Sequence, residues 1–311
     1  MIDTKSGLVS IIIPSYNYGK YLPDALRCLI NQIYSNWECL IIDDGSCDNT
    51  SQIGNKFAAE DSRIKYYHQN NSGKSSARNF GFASSQGDLI CFLDSDDLWS
   101  EKYLANQIES LQTQNVDLIH SAYRIKQFET DEVIKSYNSS DFNFGSALSL
   151  LSPPPIRTSC VLIKRVVIDK IGGFDRYMKF IEDGDFWFKC AFEGFKFGAT
   201  DNLDVIVRHH EGSAITHSFD NMIYNIIAIE NHLRLIEHSN LNFSQKELES
   251  AIIKKIQTIR WQARDSDRFD WIFFTYMFLI RKIGIKYIFS KPFFTNFNYD
   301  IRIFISSKLR K

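Results

Sequence analysis

Three carboxylates, Asp94, Asp96 and Asp97, stand directly behind the apolar residues 89–93, and a second pair, Asp43 and Asp44, closes another apolar run. Converging carboxylates repel one another and raise one another's pKa, and a bound divalent cation is the simplest compensator. A third pair, Glu182 and Asp183, runs into Gly184, Asp185 and the apolar Phe186, Trp187 and Phe188, the pattern of a helix start. There the helix dipole favours the ionised carboxylate and predicts a low pKa. His210 lies in a polar string from Arg208 to Ser213.

An isolated acidic turn is most simply a solvated loop with a helix cap, Asp97 capping a helix over 101–114. A calcium loop of the EF-hand kind is excluded, because Leu98 and Trp99 fill the places where acids and glycine would continue. The run is also similar to the first motif of haloacid-dehalogenase phosphatases, in which Asp94 would be the phosphorylated residue. Against that, Leu98 stands where Thr or Val is usual and the strand is the fourth. Gly73, Lys74 and Ser75 imitate the end of a phosphate-binding loop, but the glycine required five residues earlier is His68. The remaining reading is a metal–nucleotide site, in which one Asp holds a metal that bridges two phosphates and a neighbour contacts the ribose.

The elements that must position these acids can be read from periodicity. Apolar runs at 8–13, 38–42, 64–67 and 89–93 alternate with segments of helical spacing, such as Leu22, Leu26, Leu29 and Ile33. This predicts an α/β fold with a largely parallel sheet flanked by helices, whose ligands bind beyond the carboxyl ends of the strands. Residues 14–17, 43–46 and 94–97 occupy those ends, so one crevice should collect them. The region 121–212 is less regular, with a breaker at Pro153, Pro154 and Pro155, a strand at 160–163 and Gly172-Gly173 before Phe174; from Ala214 the pattern turns helical.

The 311 residues, 44% hydrophobic, suffice for a sizeable core, and a formal net charge of -1 gives no footing for non-specific nucleic-acid binding. The six cysteines lack a CxxC pair and read as reduced and structural, which points to the cytoplasm. The first residues lack the basic start and long apolar core of a signal peptide, and no run is long enough to span a bilayer.

Taken together, Val9 to Asn17, Ile41 to Ser46 with Asp48 to Thr50, Asn71 to Asn79 with Gly81, Asp94 to Asp97, and Glu182-Asp183 resemble the inverting glycosyltransferases of family 2, with a GT-A fold. The resemblance covers about residues 8–213. It implies a nucleotide-sugar-binding half at 1–120, an acceptor-binding half of the same domain at 121–213 and a helical extension at 214–311. Pro14, Tyr16 and Asn17 would form the nucleotide pocket, Tyr16 stacking on the base, with Asp44 accepting from a base N–H and Asp43 assisting at the ribose. Asp94, with Ser95, would face the ribose. Arg78 and Asn79 would either reach the nucleotide or make structural hydrogen bonds. Asp96 would hold Mn2+ or Mg2+, with His210 completing the metal or diphosphate site.

Asp183 would be the base that takes the acceptor hydroxyl proton in a single inverting displacement, with Glu182 on the acceptor side. The implied partners are a nucleotide-sugar donor, UDP suiting Asp44, and a glycan or lipid-linked acceptor in surface polysaccharide synthesis. A nucleotide-sugar binder without turnover is the other alternative beside the phosphatase.

The segment 251–311 carries thirteen basic residues against four acids, with a run of aromatics. One reading is a core helix packed on the rest. The other is peripheral contact of 265–311 with an anionic inner membrane face, aromatics entering the headgroups and Lys/Arg meeting phosphates.

Overall fold

The computed structural model describes residues 7–142, 147–151, 156–210, 218–239, 243–265 and 269–283. The chain divides into two compact units, Met1–Ser213 and Ala214–Lys311.

The first unit starts with strand β1 (Val9–Ser15), helix α1 (Leu22–Ile30), β2 (Trp37–Asp43), α2 (Thr50–Glu60), β3 (Ile64–His68), α3 (Lys74–Ser84) and β4 (Leu89–Phe92). The strands are parallel in the order β3-β2-β1-β4. β2 is buried along its whole length, and β1 at all but Pro14, as strands covered on both faces must be. Register does the positioning: Ser15 pairs with Asp43 and Ile12 with Phe92, so the polar tails of three strands end at one edge. Gly81 lets α3 lie close on β1, since a Cβ there would meet Ile12 Cγ2 at 2.5 Å.

The chain continues through β5 (Leu98–Trp99), α4 (Tyr103–Thr113), β6 (Leu118–Gln127), β7 (Val133–Tyr137), β8 (Val161–Lys164), α5 (Arg165–Ile171), α6 (Glu182–Phe192) and β9 (Phe197–His209). β8 joins β4 antiparallel, β6 lies antiparallel to β8, β9 runs parallel to β6, and β5 closes the path antiparallel to β9. The mixed half sits beside the acid loop and carries the residues that grip it.

Three local expectations change. α1 ends at Ile30, and Ile33 is 56% exposed. The chain turns there because Gln32 donates to the Cys28 and Ser100 carbonyls and accepts from the Leu104 N–H. Asp97 caps no helix: α4 begins at Tyr103, with the short β5 intervening. The strand expected at 160–163 begins one residue later, at Val161. The prolines 153–155 lie outside the described residues.

The second unit contains α7 (Ser218–Glu237), α8 (Gln245–Asp265) and α9 (Phe269–Ile283). α9 buries Ile272, Tyr276 and Phe278, its Tyr276 ring lies 4.6 Å from the Arg260 guanidinium of α8, and Lys282 pairs with Glu230 of α7 at 2.9 Å. No helix among the described residues is long and apolar enough to cross a membrane. Residues 284–311 of the basic, aromatic tail lie outside the described residues.

Candidate active site

The acids leave the carboxyl ends of the parallel strands, and several are already paired with protein groups. Asp43 is fully buried; its Oδ1 accepts from the Ser46 N–H at 2.8 Å and its Oδ2 from the Tyr66 hydroxyl at 2.6 Å. Asp44 Oδ1 accepts from Gln69 Nε2 at 2.6 Å and the Ser72 N–H at 2.8 Å, and its Oδ2 from the Gly73 N–H at 2.8 Å. Both carboxylates therefore hold the loops after β2 and β3, and of the roughly four acceptor sites of Asp44 three are taken, which leaves one on Oδ2.

Pro14 lies near the end of β1 and Tyr16 just past it, and Tyr16 is 47% exposed. Asn17 has φ +56°, a left-handed backbone that Asn tolerates better than most residues. Its N–H donates to Ser46 Oγ at 2.9 Å, and its Oδ1 accepts from the Cys47 N–H at 2.8 Å. Ser95 is buried and donates to the Pro14 carbonyl at 2.6 Å, tying the acid loop to β1.

Within the acid loop the three carboxylates part ways. Asp94 Oδ1 accepts from Arg78 Nη2 at 2.7 Å, while 37% of its side-chain surface is exposed. Its surroundings of protein atoms push its pKa up, but Arg78 and Lys74 outweigh that and hold it below its usual value. Asp97 is buried; Ser159 Oγ donates to Oδ2 at 2.6 Å and the Arg208 N–H to Oδ1 at 3.2 Å. Burial, then the charges of Asp96 and Asp94, push Asp97 well above the usual carboxylate range.

Asp96 is the acid left facing His210, Oδ2 to Nε2 at 3.0 Å. The His210 ring stacks on Tyr21 at 4.6 Å and meets Tyr18 edge-on at 5.7 Å, so its orientation is set by packing. Arg208 donates from Nε to the Asp96 carbonyl and from Nη1 to Asp24 Oδ2 at 3.0 Å, pinning the loop to α1. Of the string around His210, residues 211–213 lie outside the described residues.

Arg78 joins the two ends of the site. Buried in α3, it donates from Nη1 to Glu182 Oε1 and from Nη2 to Asp94 Oδ1, at 2.8 and 2.7 Å, with Thr158 Oγ1 at 3.2 Å. Burial works against its charge, yet Asp94 and Glu182 more than offset that and raise its pKa. Lys74 Nζ adds a second cation on Glu182 Oε1 at 2.8 Å. Glu182 is itself buried, and its Oε2 has no donor among the described residues.

Asn79 is committed elsewhere: its amide donates to the Phe174 carbonyl at 2.7 Å and accepts from the Phe174 N–H at 2.8 Å. Of the two roles open to Arg78 and Asn79, both side chains here make structural hydrogen bonds.

Glu182 and Asp183 do open α6. The residue before them, Ile181, has φ +63°, a costly conformation for a β-branched side chain and one that concentrates at functional sites. The low pKa expected for Asp183 is corrected. Burial raises it, Glu182 adds to the rise, and Lys74, Arg78 and Arg157 restrain it. Lost hydration and a like charge outweigh the helix dipole.

Sequence reading missed Lys74, Thr158, Ser159 and the Tyr18–Tyr21 frame. Lys74 lay within the family-matching string 71–79 and the rejected phosphate-loop imitation but was given no role; its ammonium contacts Glu182. Thr158 and Ser159 carry no readable signal in an irregular stretch. The aromatic pair could have been noticed from its i, i+3 spacing just past β1.

The Glycosyl transferase family 2 profile matches residues 10–172. The chain belongs to that family. It is 32% identical over 239 residues to the Escherichia coli UDP-Glc:alpha-D-GlcNAc-diphosphoundecaprenol beta-1,3-glucosyltransferase WfaP, covering 74% of this chain and 90% of WfaP. It is 33% identical to the glycosyltransferase GlyG of Streptococcus pneumoniae over 45% of this chain and 43% of GlyG. The chain thus spans less than half of GlyG, and 22% of a Rickettsia bellii relative at 34% identity.

Among solved structures, a Pyrobaculum calidifontis mannosyltransferase in complex with GDP-Man and Mn2+ superposes with TM-score 0.60 at 17% identity, covering 98% of this chain and 87% of that one. S. aureus TarS with UDP-GlcNAc gives 0.56 at 18%, covering 82% and 83%. These likenesses establish the GT-A fold of this family 2 member.

Asp96 and His210 bring an oxygen and a nitrogen 3.0 Å apart, and no cluster of three or more His, Cys, Asp or Glu surrounds them among the described residues. Two protein ligands with the remaining positions left to ligand oxygens suit Mg2+ or Mn2+ in a nucleotide site.

Proposed function

We propose that this chain is an inverting glycosyltransferase that moves a sugar from a nucleotide-diphosphate donor, a UDP-sugar, to a glycan or lipid-linked acceptor in surface polysaccharide synthesis. The observation that carries this reading is the Arg78 bridge. One buried guanidinium ties the donor-side acid loop to the Glu182-Asp183 pair, 104 residues away in sequence. Family membership supports glycosyl transfer. WfaP, by its name, uses UDP-Glc and a diphosphoundecaprenol-linked acceptor, and TarS was solved with UDP-GlcNAc.

In this mechanism Asp183 takes the proton of the acceptor hydroxyl as its oxygen attacks the anomeric carbon. The bond from that carbon to the diphosphate oxygen breaks on the opposite face, and its electron pair leaves with the nucleoside diphosphate. No covalent sugar–enzyme intermediate forms. The raised pKa makes Asp183 a stronger base than an ordinary Asp. Glu182, with its unpaired Oε2, stands on the acceptor side.

Tyr16 stacks on the base, with Pro14 and Asn17 beside it, and Asp43 and Asp44 act through the loops that they hold. Asp94 and Ser95 line the ribose side. Asp96 and His210 would hold Mn2+ or Mg2+, which supplies neutralisation of the charge growing on the departing diphosphate.

Asp183→Asn should lower transfer at least about 100-fold while thermal shift still reports UDP–Mn2+ binding; retained transfer removes Asp183 as the base. A wild-type chain that binds UDP–Mn2+ yet turns over with no acceptor is instead a silent binder. The phosphatase reading is disfavoured by the match of residues 10–172 to Glycosyl transferase family 2.

A further inference from the structure

A cleft of about 660 Å3 lies between the loop after β3, α3 and the segment that leads towards α6. None of Asp94, Asp96 and Asp183 lines it. Its volume falls within the range of small-molecule sites, but its lining is unlike the apolar wall of most of them. Asn70, Ser72 and Ser76 present amide and hydroxyl groups, Arg176 adds a guanidinium, and Phe80 and Tyr177 flank these with rings that are 39% and 82% exposed. Phe80 is held by an edge contact with Tyr67 at 5.7 Å.

The walls are also pre-formed. Gln69 and Ser72 are fixed by Asp44, and the Phe174 end of the facing segment by Asn79. The turn at Tyr177 is fixed by its N–H donating to Asp175 Oδ1 at 2.9 Å. With these parts held, the ordering left to oppose binding falls chiefly on the exposed Arg176 and Tyr177 side chains.

Neutral amides and hydroxyls pair with both donors and acceptors, which is the capacity a polyhydroxylated ring demands. Exposed aromatic faces suit the C–H surface of the same ring, and a guanidinium offers several donors to hydroxyls without requiring a charged ligand. No carboxylate lines the cleft to hold a cation. We propose that this cleft is a saccharide subsite, binding a sugar of the acceptor glycan away from the point of transfer. The assignment to the acceptor rests on the transferase reading above, because Phe174 to Tyr177 lead to Glu182 and Asp183; saccharide binding itself does not.

Isothermal titration of the full chain with N,N′-diacetylchitobiose and with cellobiose, in the presence of UDP and Mn2+, tests it. At least one disaccharide should bind, and Tyr177→Ala combined with Phe80→Ser should weaken it about tenfold or more, or about 1.4 kcal/mol. Asp183→Asn should leave that affinity unchanged. Both replaced rings are exposed, so a matching melting temperature confirms that the double variant is folded.

The subsite is overturned if neither disaccharide binds, if the double variant binds as the wild type does, or if Asp183→Asn abolishes binding, which would put the sugar at the transfer point. Binding that follows these expectations in a chain showing no transfer would remove the transferase reading and keep the subsite.

Discussion

Asp94 and Asp183 carry the same functional group and titrate in opposite directions. Arg78 and Lys74 overcome burial at Asp94 and hold its pKa down, whereas burial and Glu182 raise it at Asp183. Base catalysis needs the deprotonated form, so kcat/KM should fall as pH drops through the raised Asp183 pKa. Lys74 restrains that rise, so Lys74→Met should move the acid limb of the pH–rate profile to higher pH; an unmoved limb would separate Lys74 from the base. Stability responds to acid at Asp94: its contribution is present above the unfolded pKa and lost as pH falls through the lowered folded value.

Arg78→Met leaves Glu182 buried without its guanidinium and should cost about 3–5 kcal/mol in urea unfolding. Arg78→Lys, which keeps the charge but loses the fork, should recover part of that cost.

The helices and loops explain why Asp183 stands where it does. α6 starts from the left-handed Ile181, and the chain approaches it through Gly172 and Gly173, also at positive φ. At Gly173, with φ +88°, a Cβ would meet Asn79 Oδ1 at 2.5 Å, so strain and crowding act together. Gly173→Ala should lower stability by about 1–3 kcal/mol, read as a fall in melting temperature, with a loss of transfer from displacement of the segment entering α6. An unchanged melting temperature would show that Asn79 gives way at no cost. α3 serves both ends of the site: Gly81 seats it on β1, and Arg78 and Lys74 reach from it to the acids.

Across the chain, the first unit holds every candidate catalytic and donor-side residue, and the second holds α7 to α9. α9 buries one face within its unit but leaves Phe274 and Met277 exposed, and the basic residues beyond it continue to Lys311. If that segment meets an anionic membrane face, the full chain should float with phosphatidylserine liposomes, and less so at high salt. Removing 284–311 should reduce flotation without altering UDP–Mn2+ binding; equal flotation would place the membrane contact elsewhere or remove it.

Periodicity and local spacing were enough to show the parallel half of the sheet, the edge at which its polar ends gather and the helix start at Glu182, while the resemblance of the motif strings pointed to the family. These features repeat within a few residues of chain and depend on little else. The pairing of Arg78 with Glu182, the capture of Asp97 by Ser159 and Arg208, the stacking of Tyr21 on His210 and the direction of the Asp183 pKa were decided only by tertiary structure. Each depends on groups far apart in sequence and on how much water the packed chain excludes, and neither distance nor desolvation is written in local pattern. Of the acids that looked alike along the chain, packing turned Asp43, Asp44 and Asp97 inward as supports and left Asp94, Asp96 and Asp183 only partly buried.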